Sequence, residues 1–260
     1  MKSVIYYFSG TGNNLAIAKE LANNLGNSII YPISELIHNK IISDEYEWVV
    51  FVAPSYFSHV PPFVEKCMSD VVYNEKQRIC LIAGCAGFRG VSIQDMRRHV
   101  IKSNKEVDLE YMIILPGSKI LSYGAFPIWY QKLCTRFLHR KIKKIATDMR
   151  ENRKRSNLAK GILYKEKYEP SLQESIAEFE IIGKEYKVSK DCTSCATCEK
   201  ICPTANISIS NGQVEFGDNC NLCMGCIQWC PNNAIYYQEK TIHRKRYHHR
   251  NITKNEMFIR

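Results

Sequence analysis

The chain has 260 residues, of which 45% are hydrophobic and 24% are charged, and its formal net charge is +10. This length and composition predict a globular protein of one or two domains without a membrane span. The apolar stretch at the start ends at Ser9-Gly10 and is too short for a signal peptide, so we expect a reducing cytoplasmic location. The basic charge raises the question of nucleic acid. No DNA- or RNA-binding module is recognisable, and we exclude that class of partner.

Residues 2–8 predict a buried strand, because they are rich in β-branched and aromatic residues. A polar loop follows, and apolar residues from Leu15 to Leu25 then recur at helical spacing until Gly26. A loop between a strand and a helix N-terminus forms an anion site, because backbone N–H groups and the helix dipole converge there. An ordinary capped turn is the alternative. The loop residues that favour a bound phosphate are Ser9, Gly10, Thr11, Gly12, Asn13 and Asn14.

The run from Tyr7 to Asn13 resembles the phosphate-binding loop of flavodoxins, which hold FMN. It lacks the lysine of a nucleotide-triphosphate loop and the third glycine of a dinucleotide fingerprint. The resemblance implies an α/β fold with a doubly wound parallel five-stranded sheet in the order 2-1-3-4-5. Patterns for the four further strands occur at 28–31, 47–53, 78–84 and 111–115, and helices are expected at 62–72, at 91–101 and after Phe126.

In such a sheet the ligand lies beyond the carboxyl ends of the strands, so the loops there should hold the flavin. Flavodoxins stack an aromatic residue of the loop after the third strand on the isoalloxazine ring. The candidates in that loop are Pro54, Ser55, Tyr56 and Phe57, with Tyr56 as first choice for stacking and Phe57 as second. The loop after the fourth strand is small enough for backbone contact with the flavin, although a tight turn also explains its glycines. It contains Gly84, Cys85, Ala86, Gly87 and Phe88.

Eight of the twelve cysteines form two copies of the pattern C-x-x-C-x-x-C-x-x-x-C-P. The pattern resembles the bacterial ferredoxin run, in which the fourth cysteine of each copy ligates the cluster of the other copy. The resemblance implies two [4Fe-4S] clusters. One is held by Cys192, Cys195, Cys198 and Cys230, and the other by Cys220, Cys223, Cys226 and Cys202. Zinc sites use cysteine arms in pairs, and disulfide frameworks are typical of short secreted chains, so both alternatives are less favoured.

These motifs divide the chain into four parts. A flavodoxin-like FMN-binding domain is expected at 1–155, a connecting arm at 156–185, a small α+β ferredoxin-like domain at 186–242 and a basic tail at 243–260. The arm is expected to be partly helical around 172–179. The tail is expected either to pack across the junction of the two cofactor sites or to meet an acidic redox partner.

The whole chain resembles flavodoxin–ferredoxin fusion proteins of anaerobic bacteria and archaea. The resemblance implies electron transport between two clusters and FMN, with redox proteins or a small-molecule acceptor as partners. The alternative is a flavin-dependent reductase of a quinone, oxygen or a small electrophile, which would be an FMN- and iron–sulfur-dependent oxidoreductase. We find no hydrolase motif and no nicotinamide fingerprint, and we assign no catalytic residue. A redox-sensing regulator is a third reading, for which no DNA-reading module is present.

Overall fold

A parallel five-stranded sheet in the order β2-β1-β3-β4-β5 organises the first part of the chain. The computed structural model describes residues 1–87, 90–155 and 182–259. The order is the flavodoxin-like order 2-1-3-4-5 that was predicted, and each strand boundary lies within about two residues of the expected one. The strands are β1 (Ser3–Tyr7), β2 (Ser28–Pro32), β3 (Trp48–Pro54), β4 (Arg78–Cys85) and β5 (Leu109–Ile114).

Helices cover both faces of this sheet. Up to residue 155 the described helices are α1 (Asn13–Leu25), α2 (Glu35–His38), α3 (Pro62–Met68), α4 (Ser92–Lys102) and α5 (Ile128–Arg150). Helices α1 and α5 pack on one face of the sheet, and α2, α3 and α4 pack on the other. All seven residues of β3 are buried, which explains its unbroken apolar sequence. The sheet therefore separates two apolar layers.

The third helix is shorter than predicted. It ends at Met68, whereas the apolar pattern favoured a helix to residue 72. The backbone of Val72 instead pairs with the segment before β3: its N–H donates to the Lys40 carbonyl at 2.8 Å, and its carbonyl accepts from the Ile42 N–H at 3.1 Å. Because a helical residue cannot make these lateral hydrogen bonds, the strand-like pairing ends the helix early.

The cysteine-rich region consists of two similar halves. Each half runs strand, cysteine loop, short helix, strand, and the two halves pair with each other antiparallel: β6 with β9 and β7 with β8. The first half has β6 (Lys187–Val188), α6 (Thr197–Ile201) and β7 (Ile207–Ser210); the second has β8 (Gln213–Phe216), α7 (Gly225–Gln228) and β9 (Ile235–Tyr236). A further helix, α8 (Gln238–Ile242), follows. The expected helix around 172–179 and most of the expected arm lie outside the described residues.

The last residues of the chain connect the two regions. The His249 N–H donates to the Thr11 carbonyl at 2.8 Å, and the Ile259 N–H donates to the Lys200 carbonyl at 2.9 Å. Lys19 of α1 forms an ion pair with Glu256. The basic tail therefore packs across the junction, which is the first of its two expected positions. No helix in the described part of the chain is both long and apolar enough to cross a bilayer.

Candidate functional site

Three loops at the carboxyl ends of β1, β3 and β4 line one open cleft with a cavity volume of about 170 Å³. Gly12 and Gly87 belong to the same loops and have positive φ angles of 85° and 95°, and Phe88 lies outside the described residues. The predicted residues that line the cleft are Ser9, Gly10, Thr11, Asn13, Asn14, Pro54, Ser55, Tyr56, Phe57, Gly84, Cys85 and Ala86. The structure brings these residues together, and their contact with FMN stays a prediction.

A fourth loop, which follows β5, completes the cleft with residues that no sequence motif marks. The Lys119 ammonium lies 3.8 Å from the centroid of the Phe57 ring. This cation–π contact joins the loop after β5 to the loop after β3. The position of this loop in the sequence, directly after the fifth predicted strand, could have indicated these cleft residues, because parallel strands all end at the same edge of their sheet. The residues of this loop that line the cleft are Leu115, Pro116, Gly117, Ser118, Lys119 and Tyr123.

Asn14 carries a buried acceptor in this cleft. Its Nδ2 donates to the Phe8 carbonyl at 2.9 Å, and its backbone N–H donates to Ser9 Oγ at 3.2 Å. Its Oδ1 has no hydrogen-bond partner among the described residues, although the residue is only 2% exposed. An unpaired buried acceptor costs about 1–3 kcal/mol, so a ligand that donates a hydrogen bond is favoured here. The ribityl hydroxyls and the ring N–H of a flavin are donors of this kind, and the residues fit FMN in this respect.

The C-terminal tail covers the other side of the β1 loop. The Tyr247 hydroxyl donates to Asn13 Oδ1 at 2.6 Å, and Asn13 Nδ2 donates to the Pro116 carbonyl at 3.1 Å. The oxygen and the nitrogen of the Asn13 side-chain amide thus both have hydrogen-bond partners within the protein. These two hydrogen bonds fix the orientation of the loop. Burial and, to a smaller extent, nearby cationic groups together lower the pKa of His249 to about 4, so this tail residue is neutral at pH 7.

The loop after β3 is held in a strained tight turn. Phe57 and Ser58 have φ angles of 49° and 76°, a region that non-glycine residues seldom adopt. The Tyr56 and His59 backbones exchange two hydrogen bonds of 2.7 and 2.9 Å across the turn. The buried His59 Nδ1 lies 3.0 Å from the Asp95 carboxylate and anchors the turn from behind. This frame fixes both aromatic candidates at the cleft.

The eight predicted ligand cysteines surround two separate cavities. Pairing of β6 with β9 brings Cys230 to the first cysteine loop, and pairing of β7 with β8 brings Cys202 to the second. Among the described residues no three such side chains converge on a site for one metal ion, and each quartet surrounds a cavity instead. One cavity is lined by Cys192, Cys195, Cys198 and Cys230, and the other by Cys202, Cys220, Cys223 and Cys226. These are the crossed sets that the ferredoxin spacing implies.

The backbone of the two cysteine loops repeats the same unusual conformation. Ser194 and Ala196 in the first loop have φ angles of 52° and 59°, and Leu222 and Met224 at the equivalent positions have 45° and 61°. Left-handed residues that alternate with ordinary ones turn successive N–H groups toward one side and make a concave anion site of the kind found around iron–sulfur groups. The loops therefore fit an anionic cluster.

Backbone N–H groups also donate to the fourth cysteine of each quartet. The Asn206 N–H donates to Cys202 Sγ and the Ala234 N–H donates to Cys230 Sγ, both at 3.2 Å. Burial raises the pKa of the Cys226 thiol well above its ordinary value, and the charges of neighbouring thiolates raise it further. Several buried thiolates that face one cavity repel one another unless a cationic centre binds them. This donor set fits an iron–sulfur group.

The cleft and the second cysteine cavity share a wall. Cys223 and Met224 line both. A Cβ atom on Gly10 would lie 1.8 Å from the Cys223 carbonyl oxygen, so only glycine permits this contact. Trp229 Nε1 donates to the Gly10 carbonyl at 3.0 Å. Gly10 thus has a second reason to be glycine, the close approach of the cysteine region, besides the predicted approach of a phosphate.

Comparison with known sequences gives a limited match. No family model matches the chain. A stretch of 62 residues is 34% identical to the polyferredoxin protein MvhB of Methanothermus fervidus. The stretch covers 24% of this chain and 14% of that protein, so this chain corresponds to a small part of that relative.

Comparison with solved structures finds flavodoxins and related flavoproteins. Flavodoxin 2 from Bacillus cereus is 11% identical with a TM-score of 0.40, over 58% of this chain and 99% of that one. A flavodoxin from the domain Archaea is 11% identical with a TM-score of 0.36, over 56% of this chain and 99% of that one. A flavoprotein in complex with FMN from Lactobacillus acidophilus is 10% identical with a TM-score of 0.33, over 43% of this chain and 92% of that one.

The strand order, rather than scores of this size, establishes the fold. The chain has a flavodoxin-like N-terminal part and a cysteine-rich C-terminal part, and it contains a segment similar to a polyferredoxin.

Proposed function

We propose that this chain is an electron-transfer protein that relays single electrons between two [4Fe-4S] clusters and FMN, and so links a low-potential donor to an acceptor. The fold, the cleft at the carboxyl ends of the strands and the two cysteine quartets support this proposal. The clusters supply one-electron chemistry and the flavin can take one or two electrons. We also propose a reducing cytoplasm as its location, because cysteines that act as metal ligands rather than as a disulfide framework are typical of such a compartment.

One observation carries the proposal: Cys223 belongs both to the wall of the cleft and to the second cysteine quartet. Its carbonyl lies against Gly10 of the predicted phosphate loop, and Tyr56 of the predicted stacking loop packs among the apolar residues of the cysteine region. No further layer of protein separates the two described cavities at this point. Two unrelated modules joined by a linker have no reason to meet at their cofactor sites.

The two quartets differ in their position relative to the cleft. The first quartet shares no described lining residue with the cleft, and its Cys195 is solvent-exposed. The second quartet adjoins the cleft, and its Cys226 is buried. We therefore assign the first quartet to the exchange of electrons with an external partner and the second to exchange with the flavin. Either direction of flow is compatible with this order.

Cofactor counts after anaerobic purification test the assignment of the sites. We expect about eight irons and one FMN per chain, and a loss of about four irons in Cys195→Ser or Cys223→Ser. Cys134→Ser is the matched control, because Cys134 is a buried cysteine outside both quartets. Fewer than about eight irons after reconstitution, or a chain that does not retain FMN, contradicts the proposal.

Stopped-flow reduction tests the relay itself. With a low-potential donor, we expect the flavin absorbance of the wild-type protein to fall together with cluster reduction, and much more slowly in Cys195→Ser. Equal rates of flavin reduction with and without the first quartet contradict the proposed order. A flavin that stays oxidised after the clusters are reduced and equilibrated contradicts the relay, unless a measured flavin potential lies far below that of the clusters.

A second candidate is a flavin-dependent reductase of a quinone, oxygen or a small electrophile. It is favoured by the loop after β5, where Tyr123 lines the cleft and lies next to the exposed Phe126 at a ring separation of 5.2 Å. An aromatic surface beside an open cleft suits a planar acceptor. Steady-state turnover with quinones, oxygen and other acceptors distinguishes such an enzyme, which turns over alone, from a carrier that needs a protein acceptor.

A further inference from the structure

The first turns of α5 expose large apolar side chains. Ile128 is 65% exposed, Trp129 67%, Leu133 40% and Phe137 55%. Trp129, Leu133 and Phe137 are spaced by four residues and therefore lie on one face of the helix, away from the buried Leu138 that packs on the sheet. Exposed apolar residues occur singly on most surfaces, but a contiguous row of them marks a contact surface.

A basic row runs beside this apolar row. Lys132, Arg136 and Arg140 are exposed, and Lys132 and Arg136 directly precede Leu133 and Phe137 of the apolar row. The helix is 23 residues long, which corresponds to about 34 Å, and its later turns add the exposed Lys143 and Lys144. Together with the net charge of +10, this basic row favours contact with a partner whose surface is anionic.

The apolar row is continuous with the cleft through aromatic rings in tilted and edge-on contact. Tyr123 lines the cleft and lies 5.2 Å from Phe126, and Phe126 lies 5.2 Å from Tyr130. Tyr130 in turn lies 5.9 Å from Trp129. The exposed face of α5 and the edge of the cleft therefore belong to one surface of the molecule.

We propose that this face of α5 binds the surface of an anionic bilayer, with the apolar row in the boundary between headgroups and acyl chains and the basic row at the phosphates. A helix that combines Trp, Phe and Leu with Lys and Arg on its exposed side has the composition of an interfacial helix. Each basic residue near an anionic surface adds to binding until salt screens it. The bilayer contact does not depend on the cofactors; only its use, access of the cleft to an acceptor dissolved in the lipid, rests on the proposed function.

Vesicle flotation tests the contact. The full chain is mixed with vesicles of phosphatidylglycerol and phosphatidylcholine, or of phosphatidylcholine alone, at low and high salt. We expect binding to the anionic vesicles, and a loss of at least tenfold at high salt or without anionic lipid. The protein has three tryptophans, of which Trp48 and Trp229 are buried, so Trp129 reports the contact by a blue shift of fluorescence.

Double variants distinguish binding through the α5 face from nonspecific binding to vesicles. Leu133→Ser with Phe137→Ser, and separately Arg136→Glu with Arg140→Glu, are each expected to weaken anionic vesicle binding at least tenfold. Ile41→Ser with Ile101→Ser is the apolar control, because both residues are exposed elsewhere. Lys190→Glu with Lys240→Glu is the charge control on exposed residues of the cysteine region. Both controls should keep wild-type binding.

Several outcomes overturn the proposal. They are an absence of flotation at low salt, an unshifted Trp129 spectrum, and binding that survives loss of the apolar row. A concentration-dependent dimer that the α5 variants abolish would assign the face to a second copy of the chain, and selective binding of an acidic protein instead of vesicles would assign it to a protein partner. Iron and FMN counts of the same variants are independent of vesicle binding, so a failure here is distinguishable from a failure of the relay.

Discussion

The flavodoxin-like part and the cysteine-rich part of this chain are stabilised in different ways. The sheet of the first part separates two apolar layers, with β3 buried along its whole length. The described strands of the second part are two or four residues long and its helices are four or five residues long. Elements this short bury little apolar surface and are marginal without ligands or bound partners. The first part therefore owes its order to burial, and we expect the second to owe much of its order to the proposed ligation by the cysteines.

Removal of the proposed clusters should have the largest effect on stability, and this effect should differ most between the two parts of the chain. We expect chelation after oxidation to abolish the ordered structure of the cysteine region and to leave the sheet folded, because metal binding energy is folding energy in small metal domains. Limited proteolysis with mass spectrometry should find new cuts between residues 186 and 236 and protection of β1 to β5. Equal loss of protection in both parts would contradict the comparison.

Gly10→Ala should break the contact between the two parts. The new Cβ would lie 1.8 Å from the Cys223 carbonyl, so we expect at least the ~1–3 kcal/mol that overpacking costs, with weakened docking of the cysteine region. Gly26→Ala serves as a comparison for backbone strain alone: no atom lies within 4 Å of its new Cβ, but its φ of 89° is unfavourable for alanine. Denaturant unfolding measures both. A Gly10→Ala protein as stable as the wild-type protein would refute the close contact.

Acid should loosen the tail before it affects the sheet. Burial lowers the pKa of His249 to about 4 from an ordinary 6.5, so the unfolded chain binds this proton first. The stability that neutral His249 contributes is complete above pH 6.5 and is lost as the pH falls toward 4, by about 2 kcal/mol at pH 5. Thermal unfolding from pH 8 to 5 should show this slope in the wild-type protein and not in His249→Gln. The same slope in both proteins would assign it to other groups.

Trp229→Phe should have the smallest effect. It removes the hydrogen bond from Trp229 Nε1 to the Gly10 carbonyl and leaves that acceptor unpaired, for which we expect about 1–2 kcal/mol. Trp48→Phe is a control within the sheet, because the buried Trp48 Nε1 has no hydrogen-bond partner among the described residues. Both variants remove the same side-chain volume, so the difference between their free energies of unfolding in urea reports the hydrogen bond. A larger loss in Trp48→Phe would mean that this hydrogen bond adds little to the junction.

Local patterns in the sequence were enough for the sheet and for the cysteine sets. Five apolar runs separated by helices predict the strands, the resemblance of the loop at Ser9–Asn14 to flavodoxins implies their order, and the resemblance to the ferredoxin spacing implies the crossed quartets. Each depends on residues close together in the chain. The end of α3 was wrong because Val72 pairs with Lys40 and Ile42, which lie thirty or more residues earlier.

Tertiary structure alone decided how the parts meet. No local pattern indicates that Cys223 lines the cleft, that Tyr247 of the tail donates a hydrogen bond to Asn13, or that Lys119 lies over Phe57. The apolar residues of α5 illustrate the same limit, since spacing cannot tell Leu138, which is buried, from Phe137, which is exposed. The physical reason is that burial and contact depend on which distant segment packs against a residue. Sequence therefore determined the elements and the two sets of cysteines, and the packing of distant segments placed the candidate flavin cleft and the second cysteine cavity side by side.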